Sequence, residues 1–223
     1  MTDSNFDTDD IDGPHAGQEV VTSGVPLDDA RAAMILVHGR GATARSILEL
    51  GQEFRHEGIA FLAPQAAGNT WYPQSFLAPL DANQPHLSSA LSLLGTLVSD
   101  LEAAGIPPER TFLLGFSQGA CLTTEFVARN ARKYGGVAAF SGGLIGPKGT
   151  PREYDGSLDE TSVYLGCGDN DQHIPVERVH ETEAVLTALD GSVTERIFEG
   201  MGHGVVQEEV AHVERMVARL LAE

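Results

Sequence analysis

Apolar residues along the chain follow two alternating patterns. Short unbroken runs at Met34–Val37, Ile59–Leu62, Thr111–Leu114, Val137–Phe140 and Ser162–Leu165 read as strands buried on both faces of a sheet. Between them the apolar positions recur at steps of three and four. Leu87, Leu91, Leu94, Val98 and Leu101 mark an amphipathic helix closed by Gly105 and Pro107. Further helices are expected from Thr43 to about His56, from just after Ser117 to about Lys133, and over roughly Pro175–Leu189. A strand over Val193–Phe198 follows, and a last helix carries the stripe Val206, Val210, Val213, Val217 and Leu220. Strands that alternate with helices predict an α/β architecture, a mostly parallel sheet with helices on both faces. Reactive residues then belong on the loops at the carboxyl ends of the strands, where the glycine-rich stretches of this chain fall.

Two segments break the alternation. Residues 1–16 crowd Asp3, Asp7, Asp9, Asp10 and Asp12 into a stretch with little apolar content, which predicts a mobile acidic tail ahead of a single domain over 17–223. Gln65 to Pro85 is a long irregular excursion containing Trp71, Tyr72 and Phe76, and excursions of that length in a compact domain are usually functional.

Composition narrows the setting. The first residues lack the basic and apolar regions of a signal peptide, and no run reaches the length of a membrane span, so a soluble cytoplasmic protein is expected. Thirty-two Asp and Glu against 14 Lys and Arg give a net charge of −18, which argues against nucleic acid or an anionic membrane as partner. Only Lys133 and Lys148 are lysines. An acidic, lysine-poor surface is what a protein from a salt-rich cytoplasm presents. Cys121 and Cys167 are too few for a disulfide framework and read as buried free thiols.

The chemistry centres on Gly115-Phe-Ser-Gln-Gly119, a G-x-S-x-G sequence placed where a predicted strand gives way to a helix. Such a turn projects Ser117 above the sheet, and a serine hydroxyl becomes nucleophilic only when a general base takes its proton. His203, in the glycine-rich loop Gly200–Gly204 before the last helix, is the candidate base. The acid lies in Gly166-Cys-Gly-Asp169-Asn-Asp171, where spacing alone leaves Asp169 and Asp171 both open. The N–H of Gln118, at a helix start, is a candidate oxyanion donor.

From His38-Gly-Arg-Gly41 through His203 the chain resembles the carboxylesterase/phospholipase/acyl-protein thioesterase family of α/β-hydrolases. HGRGAT, APQAAGNTWYP and GFSQGA are most similar to a microbial, haloarchaeal-like subgroup whose members are described variously as phospholipase/carboxylesterase or hydroquinone-related proteins. The resemblance implies an α/β-hydrolase fold with a minimal cap and hydrolysis of small carboxylic esters or thioesters through an acyl-serine. It implies Asp171 as the acid, with Asp169 holding the loop, and the Arg40 N–H as second oxyanion donor, with His38 bracing that loop. The Arg40 side chain is read as attracting an anionic substrate or pairing with an acidic neighbour. The resemblance further implies an aromatic pair, Trp71 and Tyr72, at the substrate pocket. Where the family has Pro after the acid, this chain has Gln172-His173, which puts His173 beside the acid and facing the pocket or the surface. No cofactor or metal is expected, and a homodimer is allowed.

Two other readings compete. A metal-dependent, hydroquinone-type oxygenase would need two histidines and a carboxylate as iron ligands, and His38, His173 and His203 lack that spacing. A non-catalytic binding protein would leave a complete set of acid, base and nucleophile without a purpose.

Overall fold

The computed structural model describes residues 6–222. Seven strands form one sheet: β1 (Val20–Gly24), β2 (Ala32–Val37), β3 (Ile59–Pro64), β4 (Thr111–Phe116), β5 (Gly136–Phe140), β6 (Ser162–Gly168) and β7 (Ser192–Phe198). Their order is β1-β3-β2-β4-β5-β6-β7; β1 is antiparallel to β3 and every other pairing is parallel. The helices are α1 (Ala44–Gly51), α2 (His86–Ala103), α3 (Gln118–Arg129), α4 (Val176–Ala188) and α5 (Gln207–Ala222).

The unbroken apolar runs have a direct explanation in β2. Ala33, Ile35 and Val37 face the layer that holds Leu94 of α2, Leu122 of α3 and Val179 of α4. Ala32, Met34 and Leu36 face the opposite layer, with Ile47 of α1 and Val213 and Val217 of α5. Successive residues of a strand point to opposite faces, so a strand covered on both must be apolar throughout. All six β2 residues are fully buried.

Differences from the expected elements are local. The edge strand β1 went unread because only one of its sides pairs and its residues are half exposed. The first helix ends at Gly51 and passes into a 3₁₀ turn at Gln52–Phe54. Val206 precedes α5 instead of opening its stripe; its N–H is taken by the Glu209 side chain.

The acidic segment 1–16 is the one expected to be a mobile tail. Residues 1–5 lie outside the described residues. From Phe6 onward the segment is seated on the domain, with Ile11 and His15 buried and Thr8 Oγ1 donating to the Gln18 carbonyl. The acidic side chains stay outside while these few buried groups fix the backbone. The long excursion after β3 is ordered as well and folds its aromatic residues, Trp71, Tyr72 and Phe76, inward. Among the described residues no helix is long and apolar enough to cross a membrane.

Candidate active site

Ser117 stands between β4 and α3 with φ 56° and ψ −120°, in the left-handed region that a side chain disfavours. The flanking glycines are required by space. A Cβ on Gly115 would collide with the backbone of Gly119, and one on Gly119 with the carbonyl oxygens of Val37 and His38. The strained turn is held by the Ser117 N–H on the Phe140 carbonyl (2.9 Å) and by the Cys121 N–H on the Ser117 carbonyl (3.0 Å).

On one side of Ser117 the structure brings together the candidate base and the candidate acid. The Ser117 hydroxyl donates to His203 Nε2 at 2.8 Å, and His203 Nδ1–H donates to Asp171 Oδ2 at 2.7 Å. A carboxylate can only accept, so the proton belongs on Nδ1 and leaves Nε2 free to accept from the serine. Burial pushes the Asp171 carboxyl up. Hydrogen bonds from His203 and from the N–H groups of His173 and Ile174 outweigh that and hold it below the usual carboxylate range. It is therefore ionised at neutral pH. Asp169 has the other task, accepting the Gly200 N–H at 2.7 Å and so tying the loop after β6 to the loop that carries His203.

His173 faces the pocket, its ring edge-on to His203 with centroids 4.8 Å apart. Phe116 packs on His203 at 5.2 Å. Beneath the His203 loop lies a residue that sequence reasoning missed. Glu209 is fully buried; Oε2 accepts the Val206 N–H while Oε1 has no partner among the described residues. Burial pushes its carboxyl up to about 7. The signal was a Glu in the first turn of a helix, where a carboxylate reaches back to a free N–H.

On the other side of Ser117 the loop after β2 presses close, so that a Cβ on Gly39 would lie 3.3 Å from Ser117 Cβ. The N–H groups of Arg40 and Gln118 have no acceptor among the described residues, and both residues line the pocket at Ser117. Their side chains hold the excursion instead. Arg40 donates to the carbonyls of Tyr72 (2.9 Å), Pro73 (3.0 Å) and Gln74 (2.7 Å), in place of the acidic neighbour considered for it. Gln118 accepts from the Trp71 N–H (3.0 Å) and donates to the Tyr72 carbonyl (2.8 Å). Asn83 continues the clamp by accepting from the Gln74 N–H and donating to the Ser75 carbonyl.

Of the aromatic pair, Tyr72 lines the pocket and Trp71 does not. Trp71 is fully buried behind it, its indole N–H donating to the His38 carbonyl at 2.7 Å. A buried indole N–H needs an acceptor, and this one lies in the β2 loop, away from the cavity. His38 braces that loop: its Nδ1–H donates to the Gly39 carbonyl and its Nε2 accepts the Ala66 N–H. His15 completes the stack. Its Nε2–H donates to the Trp71 carbonyl (3.0 Å), its Nδ1 accepts from the Ala67 N–H (3.1 Å), and its own N–H reaches Ser89 Oγ. Burial lowers the pKa of both histidines, which favours the neutral rings these bonds require.

The pocket has a volume of about 480 Å³ and is open to solvent. Cys121 forms part of its lining, and burial pushes that thiol up to about 12, as it does Cys167, so both are neutral. Among the described residues no three His, Cys, Asp or Glu side chains converge as metal ligands. Of the three histidines an iron site would draw on, His38 is committed to two backbone groups and His203 to Ser117 and Asp171, which leaves His173 alone.

Comparison with known proteins agrees with this architecture. The model of the family described as Phospholipase/Carboxylesterase matches residues 16–221. A crystal structure of a phospholipase/carboxylesterase from Dyadobacter fermentans is 43% identical, with a TM-score of 0.87 over 90% of this chain and 96% of that one. A probable carboxylesterase, SOBER1-like, from Arabidopsis thaliana is 25% identical over 83% of this chain and 77% of its own length. Acyl-protein thioesterase 1 of Saccharomyces cerevisiae is 24% identical over 88% of this chain and 96% of its own.

Proposed function

Because this chain belongs to the phospholipase/carboxylesterase family of α/β-hydrolases and is a carboxylic ester hydrolase, we propose that it cleaves small esters through an acyl-serine intermediate with Ser117 as nucleophile. The observation that carries the reading is the unbroken hydrogen-bonded line from Ser117 Oγ through His203 to Asp171, at 2.8 and 2.7 Å.

Ser117 Oγ attacks the ester carbonyl while His203 Nε2 takes its proton. Ionised Asp171 keeps the imidazole in the right tautomer and steadies the imidazolium that forms. The tetrahedral oxyanion is received by the N–H groups of Arg40 and Gln118, two fixed donors with no competing acceptor among the described residues. His203 then gives its proton to the departing alkoxide, and a water activated by the same imidazole releases the acid. A thioester follows the same course with a thiolate leaving. Tyr72 and His173 contribute pocket wall; Trp71 supports it from behind.

An open pocket of about 480 Å³ supports modest acyl and alcohol groups over long chains. The net charge of −18 with two lysines supports a salt-rich cytoplasm as the setting and a haloarchaeal-like subgroup as the source. A panel of p-nitrophenyl esters and acyl thioesters of rising chain length tests the substrate class. Turnover should be highest for short acyl chains and begin with a burst of about one equivalent of leaving group. Linear onset with every rapidly turned-over ester would contradict an accumulating acyl-enzyme.

A further inference from the structure

From the charge distribution around the pocket we infer that the substrate carries an anionic group, a carboxylate or phosphate, that docks against Arg40; the inference rests on the serine-hydrolase reading above. The chain has 32 acidic residues, yet no Asp or Glu is among the residues that line the pocket. The titratable and charged lining residues are Arg40, His173, His203 and the neutral Tyr72 and Cys121. Five arginines elsewhere pair with carboxylates: Arg45 with Glu19, Arg129 with Glu125, Arg132 with Glu102, Arg152 with Glu125 and Glu181, Arg178 with Glu181. Arg31 and Arg110 bond only to backbone carbonyls and lie away from the pocket, whereas Arg40 is the arginine that lines it. All three Arg40 hydrogen bonds go to backbone carbonyls, and among the described residues no carboxylate lies within 4 Å of its guanidinium.

Carbonyls satisfy donors but leave the unit charge uncompensated. The guanidinium has five N–H donors in a fixed fork, and three bonds to the cap leave two for a ligand. The carbonyl bonds also hold the fork still at the rim of the cleft, so little rotamer freedom remains to be lost when an anion arrives. The acidic surface opposes an incoming anion only at long range. The Debye length is about 8 Å at physiological salt and about 3 Å at 1 M, so distant acids are screened while a contact at Arg40 is not. On the opposite wall His173 and His203 face the cleft, and the one carboxylate there, Asp171, lies behind them and is engaged by His203 and by the His173 and Ile174 N–H groups. The anion takes no part in bond making; hydrolysis proceeds as above.

The test compares matched esters at fixed ionic strength. Mono-p-nitrophenyl adipate and p-nitrophenyl hexanoate place the anion, or its absence, in the acyl part. 4-Acetoxybenzoate and 4-acetoxybenzamide do the same for the alcohol part. At least one anionic ester should have kcat/KM about tenfold or more above its neutral partner. That ratio should fall to about 1 in Arg40→Gln and survive in Arg40→Lys, which keeps the charge without the fork. The ratio is internal to each variant, so a loosened cap that slows all four esters does not mimic the effect. Ratios at or below 1 for both pairs in the unaltered protein, or a ratio unchanged in Arg40→Gln, would overturn the inference and leave the serine reading intact. Failure to turn over any of the four, together with no labelling of Ser117 by a phosphonate, would overturn both.

Discussion

The two sides of Ser117 are built by different means. On the acid–base side, side chain meets side chain: Asp171 holds His203, and His203 holds Ser117, from loops at the ends of adjacent strands. On the cap side, side chains from distant parts of the chain grip main-chain groups. His15 bonds to Trp71 and Ala67, Arg40 to residues 72–74, Gln118 to residues 71 and 72. The first arrangement is specified by what the residues are. The second is specified by where peptide groups come to lie. Substitutions should therefore act on chemistry on one side and on position on the other.

The largest separation is expected in turnover. Ser117→Ala and His203→Ala should each lower kcat by about 10⁴–10⁶, and Asp171→Asn by about 10⁴. Asp169→Asn should cost far less, because it loses one loop bond, to the Gly200 N–H, and touches no reacting group. Steady-state kinetics on one p-nitrophenyl ester decides it; an Asp169→Asn defect larger than that of Asp171→Asn would reverse the two assignments.

Stability should separate the sides next. Glu209 is pushed by burial from an ordinary value of 4.5 up to about 7. The folded state thus binds its proton more tightly than the unfolded chain. Its contribution is intact below pH 4.5 and is lost as the pH rises toward 7, by roughly 3 kcal/mol in all. Glu209→Gln keeps an acceptor for the Val206 N–H and cannot ionise. Denaturant unfolding of both proteins across that range should show the variant gaining stability relative to the parent as pH rises. A difference that stays constant would mean Glu209 does not titrate there.

His15 probes the cap side. His15→Ala leaves the Trp71 carbonyl and the Ala67 N–H buried without their partner, at about 1–3 kcal/mol each. The melting temperature should fall, and kcat should drop about tenfold through displacement of the loop that carries Arg40. A lower melting temperature with unchanged kcat would confine His15 to stability.

This contrast also explains what could be read beforehand. As candidates, Ser117 and His203 were legible because a glycine-flanked serine at a strand end and a histidine in a glycine-rich loop suggest their chemistry by residue type. Asp171 needed a family resemblance, since Asp169 is the same residue type two positions away. The doubly covered sheet was legible from β2, whose residues are apolar on both faces. The cap side was not. Trp71 belongs behind the pocket because its N–H meets the His38 carbonyl, and a carbonyl leaves no mark in sequence. The acidic segment from Phe6 was expected to be mobile because its four aspartates outnumber the three buried residues, Thr8, Ile11 and His15, that sit against the domain.

The smallest effect concerns neither side alone. With net charge −18, dilute buffer leaves surface carboxylates repelling over about 30 Å, and molar salt shortens that to about 3 Å. Melting temperature and activity should both rise from dilute to molar KCl, and an uncharged osmolyte should reproduce less of the gain. A melting temperature that is flat or falls with salt would remove the salt-rich setting and leave the site as described.

The central claim is that Ser117 is the nucleophile made reactive by His203 and Asp171. It is tested most directly by incubating the protein with a fluorophosphonate and mapping the adduct by peptide mass spectrometry. The account predicts about one adduct per chain, on the peptide containing Ser117, formed at a rate that collapses in His203→Ala and is absent in Ser117→Ala. An adduct on another residue, or ester hydrolysis that persists in Ser117→Ala at the parental rate, would contradict it.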